Sequence, residues 1–402
     1  MKNKRGYFIY ALVFTLVFIL SNIYIEKIFT LPNEFYASYE EVEEINHENQ
    51  FGRLVKVELK EKEVLTGDTQ RMKGEIVFKL FGFLPIKKTE VNILPEEEVY
   101  VGGCPVGLSM QTDGVVIVSN AMISADHSQM IKNQYLQNGD VIVSIDKCAV
   151  HNSEELVSAI ENCKNEVVNV GILDGAKERN IDIPIIKDSD GKNKLGVWVK
   201  DGYSGVGTLT FVKKNDKTFG ALGHPITNGT NENPLPIEGG EIYSCSLVDI
   251  AKGERNKPGE LRGVFVKKNK QGEFCKNTEV GIFGELCDGD NLVDQNRSAK
   301  LGGRLSVKTG KAKLVSSVSG ILEEYDIEII KANYQAKSAS KSMVIRVVDP
   351  KLLNLTGGIV QGMSGSPIIQ DGKIVGAVTH VFLADPTKGY AVYSDWMLEN
   401  MA

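Results

Sequence analysis

The sequence of 402 residues predicts a mainly β protein with one small α/β unit, carried behind an N-terminal apolar anchor. Three observations predict it. From about residue 195 to the end the chain is a succession of short apolar runs, among them "GVGTLTFVKK", "AKLVSSVSGIL", "SMVIRVVD" and "KIVGAVTHVF". Spacing of that kind suggests an antiparallel barrel or a pair of barrels. Forty glycines against twelve prolines supply the turns such a body needs. Finally, "GYFIYALVFTLVFILSNIYI" at residues 6–25 is almost uncharged and about long enough to span hydrocarbon.

The anchor comes first. The basic residues of "MKNKR" stay in the cytoplasm and direct the rest of the chain outward. The apolar run is longer than a signal-peptide core, and no A-x-A site follows it, so residues 1–30 are expected to be an uncleaved signal anchor. The acidic stretch "YEEVEEINHENQ" then reads as a solvated juxtamembrane spacer. It leads into alternating strands in "RLVKVELKE" and "GEIVFKLFGFLPIKKTEVNIL", closing a segment over 31–97.

Composition narrows the class. With 42% hydrophobic and 24% charged residues the chain is ordinary globular protein with room for two or three domains. A net charge of −6 without a basic stripe excludes a nucleic-acid binder. The six cysteines are scattered, with no C-x-x-C and no Cys/His cluster. Zinc and redox motifs are therefore absent, and buried free thiols are expected. No metal and no cofactor are called for.

Residues 98–187 form the α/β unit. "DGVVIVSN" reads as a strand, and "NGDVIVSIDKCAV" as a Gly-Asp turn feeding another. "HNSEELVSAIENC" opens on a cap signal and carries helical spacing at Leu156, Val157 and Ile160. "EVVNVGIL" and "ERNIDIPII" close the unit. On "LQNGDVIVSIDKCAVHNSEEL" the segment resembles a PDZ domain of the bacterial protease-associated type. Such domains capture an extended peptide as an added strand. The resemblance implies that the loop "VGLSM" offers the N–H groups of Gly107, Leu108 and Ser109 to a chain terminus. The helix with Leu156 and Ile160 would make the far wall. The plainer alternative is a small packed unit whose groove residues are core.

The chemistry centres on "GMSGSP", Gly362 to Pro367, followed by the hairpin "SPIIQDGKIVGAVTHVF" with its Asp371-Gly372 turn. A serine in that place suits a nucleophile of the chymotrypsin-like kind. A serine hydroxyl needs a histidine to take its proton, a group to hold that histidine's tautomer, and backbone donors for the oxyanion. Of five histidines, His47 lies in the acidic spacer, and His127 and His151 lie in the α/β unit. His224, in "TFGALGHPI" among small neighbours, is the candidate base. His380, with Thr379 and Val381, is read as substrate-lining wall. Asp349, in "VIRVVDPKLLNL", and Asp249, in "SLVDIAKG", compete as the acid, and a surface Asp-Pro turn is the bland reading of Asp349.

Together, the anchor, the PDZ-like unit, "GVGTLTF", "FGALGHPI" and "GGIVQGMSGSPIIQDGKIVGAVTHV" resemble the stage IV sporulation protein B (SpoIVB) serine peptidase family over nearly the whole chain. The resemblance implies a PDZ domain followed by a chymotrypsin-like double β-barrel over 188–402. It assigns the triad to His224, Asp349 and Ser364. The N–H groups of Gly362 and Ser364 are then expected as the oxyanion hole, Ser366 as a structural hydroxyl, and Gly358 as an uncharged specificity position. It further implies an exported protease of spore-forming bacteria. Such a protease acts between the two forespore membranes, on itself and on a regulator of a membrane-embedded processing protease. The competing reading is a membrane-anchored PDZ adaptor with a catalytically dead barrel. A metallohydrolase stands further off, since there is no H-E-x-x-H or comparable ligand cluster.

Overall fold

The computed structural model describes residues 54–63, 72–93, 98–124, 130–174, 177–227, 233–287, 291–333, 335 and 337–401, with 28–29, 31, 33–38 and 40–43. The expected anchor core at 6–25 lies outside them. Among the described residues no helix is long and apolar enough to cross a membrane.

Alternating patterns in the N-terminal segment give a four-stranded sheet. Its order is Glu34–Ala37, Leu84–Ile93, Met72–Leu80, Val55–Glu63. Val57, Ile76, Phe78 and Val91 are its buried face, and Leu305 from far along the chain packs with them. The acidic stretch is less solvated than its composition suggests. Glu41 is buried, accepting the backbone N–H of Ser38 at 3.0 Å and that of Gly303. Burial raises its pKa above the usual carboxylate range. Glu40 pairs with Lys300 at 3.3 Å and Lys373 at 3.7 Å. Acidity at Glu40 and Glu41 thus docks this segment onto the main body.

Two long strands organise that body. Pro105–Asn120 and Val197–Lys213 run antiparallel from Val197 opposite Asn120 to Thr208 opposite Pro105. One end of the pair belongs to the PDZ-like unit. There Val115, Ile117, Val168, Val170 and the helix residues Leu156 and Ile160 form a core. That helix is Ser153–Glu161, capped by Asn152 accepting the Glu155 N–H. The other end belongs to a barrel. Pro105–Asn120 also pairs with Ile237–Ala251, which pairs with Glu260–Thr278, then Gly281–Leu286, then Thr218–Ala221, and back to Val197–Lys213. Phe219, Phe274, Ile242 and Leu209 fill this ring.

A second ring comes after it in the chain. Gly310–Ser316, Glu323–Ala332, Met343–Val347, Lys388–Tyr393, Lys373–Val381 and Pro367–Gln370 pair in that order, and the last returns to the first. Its core holds Leu314, Tyr325, Ile345, Val378 and Tyr393. In each ring the last strand pairs back to the first, which closes the ring through backbone hydrogen bonds. The C-terminal helix Ser394–Met401 lies across it, held by the buried Arg304–Asp395 pair at 2.7 Å.

The cysteines are all free. Cys148, Cys275 and Cys287 are exposed and Cys104, Cys163 and Cys245 half-buried, so none is the fully buried thiol expected.

Candidate active site

The site lies where the two barrels meet. From the first comes the turn after Thr218–Ala221. Leu222 and Gly223 there have φ of 67° and 71°, a left-handed bend that aims His224 out of the strand. The side chain of Asn277 pins the residues after His224, accepting the Ile226 N–H at 2.9 Å and donating to the carbonyls of Ile226 and Leu235. From the second barrel comes the turn between the helix Pro350–Thr356 and the strand Pro367–Gln370. Gly362 and Gly365 there have φ of 94° and 99°, values at which a side chain is strained.

The two turns interlock. A Cβ on Gly365 would land on the Thr208 carbonyl and 2.6 Å from the Leu222 nitrogen. A Cβ on Gly223 would lie 3.0 Å from the Thr379 methyl. Both therefore meet at Thr379 and His380. The Ser364 hydroxyl donates to the Thr379 carbonyl at 2.6 Å, and the His224 ring lies 4.8 Å from that of His380, centroid to centroid.

His224 Nδ1 is 2.8 Å from the carbonyl of Pro225. A carbonyl only accepts, so Nδ1 carries the proton, and Nε2 is left with its lone pair. Burial depresses the pKa of His224 below the ordinary 6.5 because the charged imidazolium is disfavoured away from water. The imidazole is thus neutral, and in the tautomer a general base requires.

Hydrogen bonding in the serine turn is lopsided. The N–H groups of Met363, Gly365 and Ser366 donate to Val360, Val378 and Met363 carbonyls at 3.1, 2.8 and 2.9 Å. Those of Gly362 and Ser364 engage no acceptor among the described residues. They are the pair expected to face an oxyanion, and a turn that uses every other donor leaves these two for a ligand.

Several expectations change. Asp349 is the N-cap of Pro350–Thr356. It accepts Lys351 N–H at 2.9 Å, Leu352 N–H at 3.0 Å and Asp326 N–H at 3.1 Å. Those bonds tie its carboxylate to local backbone, and no ion pair or hydrogen bond joins it to His224. Asp249 is exposed on the first barrel and pairs with Arg262 at 3.0 Å. The group orienting His224 is the Pro225 carbonyl. Ser366 is fully buried and its hydroxyl has no partner, so it ties nothing together. Gly358, with φ of 140°, packs against the backbone of Pro386 and Thr387. Thr379 donates its hydroxyl to the Ser340 carbonyl at 2.7 Å, and its methyl packs on Gly223 while its carbonyl takes the Ser364 hydroxyl. Val381 is paired with Gly389.

The expected peptide loop changes most. Gly107, Leu108 and Ser109 lie inside Pro105–Asn120, opposite Val206, Gly205 and Ser204 on one side and Tyr243, Ile242 and Glu241 on the other. Both edges are taken, so no strand can add there. Gly107 has no Cβ because the Phe265 ring occupies that space. Leu156 and Ile160, with Val157, do line an apolar groove of about 520 Å³. Its other wall is Met122, Ile123, Leu195 and Trp198. Val157 and Trp198 are exposed there.

Sequence reasoning also passed over Thr208 and Thr210, whose hydroxyls reach the serine turn. The available signal was "GTLTF", with two threonines on one face of an otherwise apolar strand.

With this geometry in place, comparison with known proteins decides the family. A model of the SpoIVB peptidase S55 family matches residues 191–398, just over half of the chain. The chain belongs to the SpoIVB peptidase S55 family. A PDZ domain model matches residues 105–185, so the family match takes in the second ring and all of the first except Pro105–Asn120, which falls in the PDZ match. Copper-transporting ATPases of Helicobacter pylori, strain J99 among them, are 26% identical over 229 residues. The match takes in 50% of this chain and 28% of theirs, so the chain spans little more than a quarter of those relatives. Among solved structures, the PDZ domain of an SdrC-like protein from Listeria monocytogenes is 26% identical. It covers 22% of this chain and 87% of its own, with a TM-score of 0.17. The inactive form of the Rv3671c protease is 15% identical, covering 48% and 81%, with a TM-score of 0.24. Among the described residues no group of three or more His, Cys, Asp or Glu could hold a metal ion.

Proposed function

We propose that this chain is a serine endopeptidase that works through Ser364 and His224. The observation that carries the reading is the pair of unengaged N–H groups, Gly362 and Ser364, beside a serine hydroxyl and a neutral imidazole. In the first step the Ser364 hydroxyl leaves the Thr379 carbonyl, its oxygen bonds to the scissile carbon, and its proton passes to His224 Nε2. The carbonyl electron pair becomes an oxyanion facing the two N–H groups. Collapse breaks the C–N bond, and His224 returns the proton to the leaving amine. Water then repeats the sequence on the acyl-serine. The Pro225 carbonyl holds the Nδ1 proton throughout and stabilises the imidazolium as a hydrogen-bond acceptor.

Membership of the SpoIVB family supports a finer role. The chain acts in spore formation, exported across the forespore inner membrane and anchored through residues 1–30 or released into the space between the two forespore membranes. Its substrates are itself and a regulator of a membrane-embedded processing protease. The groove between Ser153–Glu161 and Leu195–Trp198 supports capture of apolar protein segments, from substrates or from another copy of the chain.

A fluorophosphonate–rhodamine probe tests the activity. Labelling of the full chain that disappears in Ser364→Ala supports it, and mass spectrometry of self-cleavage products then gives the bonds cut. Two observations favour the adaptor reading instead: the Ser364 hydroxyl rests on the Thr379 carbonyl, and among the described residues no carboxylate is hydrogen-bonded or ion-paired to His224. Absence of labelling, with peptide binding intact in the groove, would establish that alternative.

A further inference from the structure

The unengaged donors of the serine turn need an explanation. A turn with two glycines at positive φ has soft torsions, so the bonds that hold its peptide planes decide where its N–H groups point. In a peptide unit the C=O and the next N–H are fixed in one plane and point oppositely. A carbonyl that is held therefore aims the N–H of the residue after it.

Every carbonyl of the turn is held. That of Gln361 accepts from Leu261 N–H at 2.8 Å, that of Met363 from Ser366 N–H at 2.9 Å, and that of Ser364 from Thr208 N–H at 2.9 Å. The remaining two are held by side chains. The Thr208 hydroxyl donates to the Gly362 carbonyl at 2.7 Å, and the Thr210 hydroxyl to the Gly365 carbonyl at 2.8 Å. Both threonines are buried, at 2% and 0% exposure, so water cannot substitute for either hydroxyl. The unit that Thr208 holds lies between the two donors of the expected oxyanion hole. By the same rule the Gly362 carbonyl aims Met363 N–H, which donates to the Val360 carbonyl at 3.1 Å, so this unit sets the angle between the two donor-bearing units on either side of it. The Gly365 carbonyl aims Ser366 N–H, whose bond to the Met363 carbonyl in turn aims Ser364 N–H.

We propose that Thr208 and Thr210 are positioning residues that preorganise the oxyanion hole, with Thr208 the principal one. They touch no substrate and act through the Gly362 and Gly365 carbonyls. The proposal rests on the serine-peptidase reading above, and deepens it by naming what fixes the hole. It also gives the strand Val197–Lys213 a second duty. One end forms the groove wall at Trp198, and the other carries both hydroxyls.

The test uses the full chain and the fluorophosphonate–rhodamine probe, whose phosphonyl oxygen occupies the hole as the Ser364 oxygen attacks phosphorus and fluoride leaves. Loss of a whole oxyanion-hole donor costs about 100- to 1000-fold. Thr208→Val loosens one donor without deleting it, so the maximal labelling rate should fall about 10- to 100-fold with the half-saturating probe concentration unchanged. Thr208→Ser keeps the hydroxyl and should label within about threefold of wild type, by the same reasoning. Thr210→Val should show a smaller loss of the same kind, and it serves if Thr208→Val melts early. Wild-type rates in both valine variants, an equal loss in Thr208→Ser, or a loss confined to half-saturation would each overturn the proposal. Failure of the wild type to label, or labelling that survives Ser364→Ala, would instead overturn the peptidase reading along with it.

Discussion

Two turns of this molecule look alike in sequence and differ in what they keep in reserve. Asp349 and Ser364 both come after an apolar stretch, and both stand beside small or imino residues that bend the chain. At Asp349 the carboxylate accepts three backbone N–H groups and closes the start of a helix. At Ser364 the carbonyls are all engaged and two N–H groups are not. A structural turn uses its hydrogen-bonding capacity on itself, whereas a catalytic turn keeps part of it for a ligand. Residue type did not separate the two.

The largest effect that can break this contrast is at the serine. Ser364→Ala should abolish self-cleavage and probe labelling, a loss of several orders of magnitude, with the circular dichroism spectrum unchanged. Retained cleavage would move the nucleophile elsewhere. His224→Ala should be equally inactive. Its pH dependence sharpens the point, because activity needs neutral Nε2 and burial holds the His224 pKa below 6.5. As pH falls, kcat/KM should therefore hold through 6.5 and decline only beneath it. A limb above 6.5 would mean that protonated His224 is stabilised by a carboxylate after all.

Next is Gly107→Val, which places two methyl groups against Phe265 inside a three-stranded contact. Overpacking should cost about 1–3 kcal/mol of stability, read as a lower Tm, and cleavage of protein and short-peptide substrates should fall together. Selective loss on protein substrates would restore Gly107 to a binding loop.

Asp349 gives a smaller and more telling effect. Asparagine caps a helix about as well as aspartate, whereas Asp349→Ala should lose about 1 kcal/mol. Asp349→Asn should keep kcat/KM within about tenfold, since it leaves the Pro225 carbonyl on His224. A drop of about 10⁴, the size seen when a triad carboxylate is replaced, would place Asp349 at the imidazole during turnover. Smallest is Ser366→Ala. It removes a buried hydroxyl that has no partner, so Tm should stay level or rise slightly, with activity retained. A clear loss of activity there would transfer a catalytic duty to the second serine of the turn.

Much of the molecule was legible in the sequence because it depends on local pattern. Alternation from Val197 onward specified strands, and Asn152 before "SEEL" specified a helix start. "GMSGSP" and "GHPI" marked the two turns that meet. These features rest on backbone sterics and residue spacing, which a linear chain carries by itself. The sequence could not say which edges of Pro105–Asn120 are free, because Ile237–Ala251 claims one of them from far along the chain. Nor could it say that Pro225 rather than an aspartate orients His224, since a backbone carbonyl is present at every position. Thr208 and Gly362 are 154 residues apart, and only ring closure of both barrels brings that hydroxyl to that carbonyl. Local pattern determined the elements and the reactive side chains. Tertiary structure decided which hydrogen-bonding groups were used up and which were left open, because that depends on neighbours the chain meets only after folding.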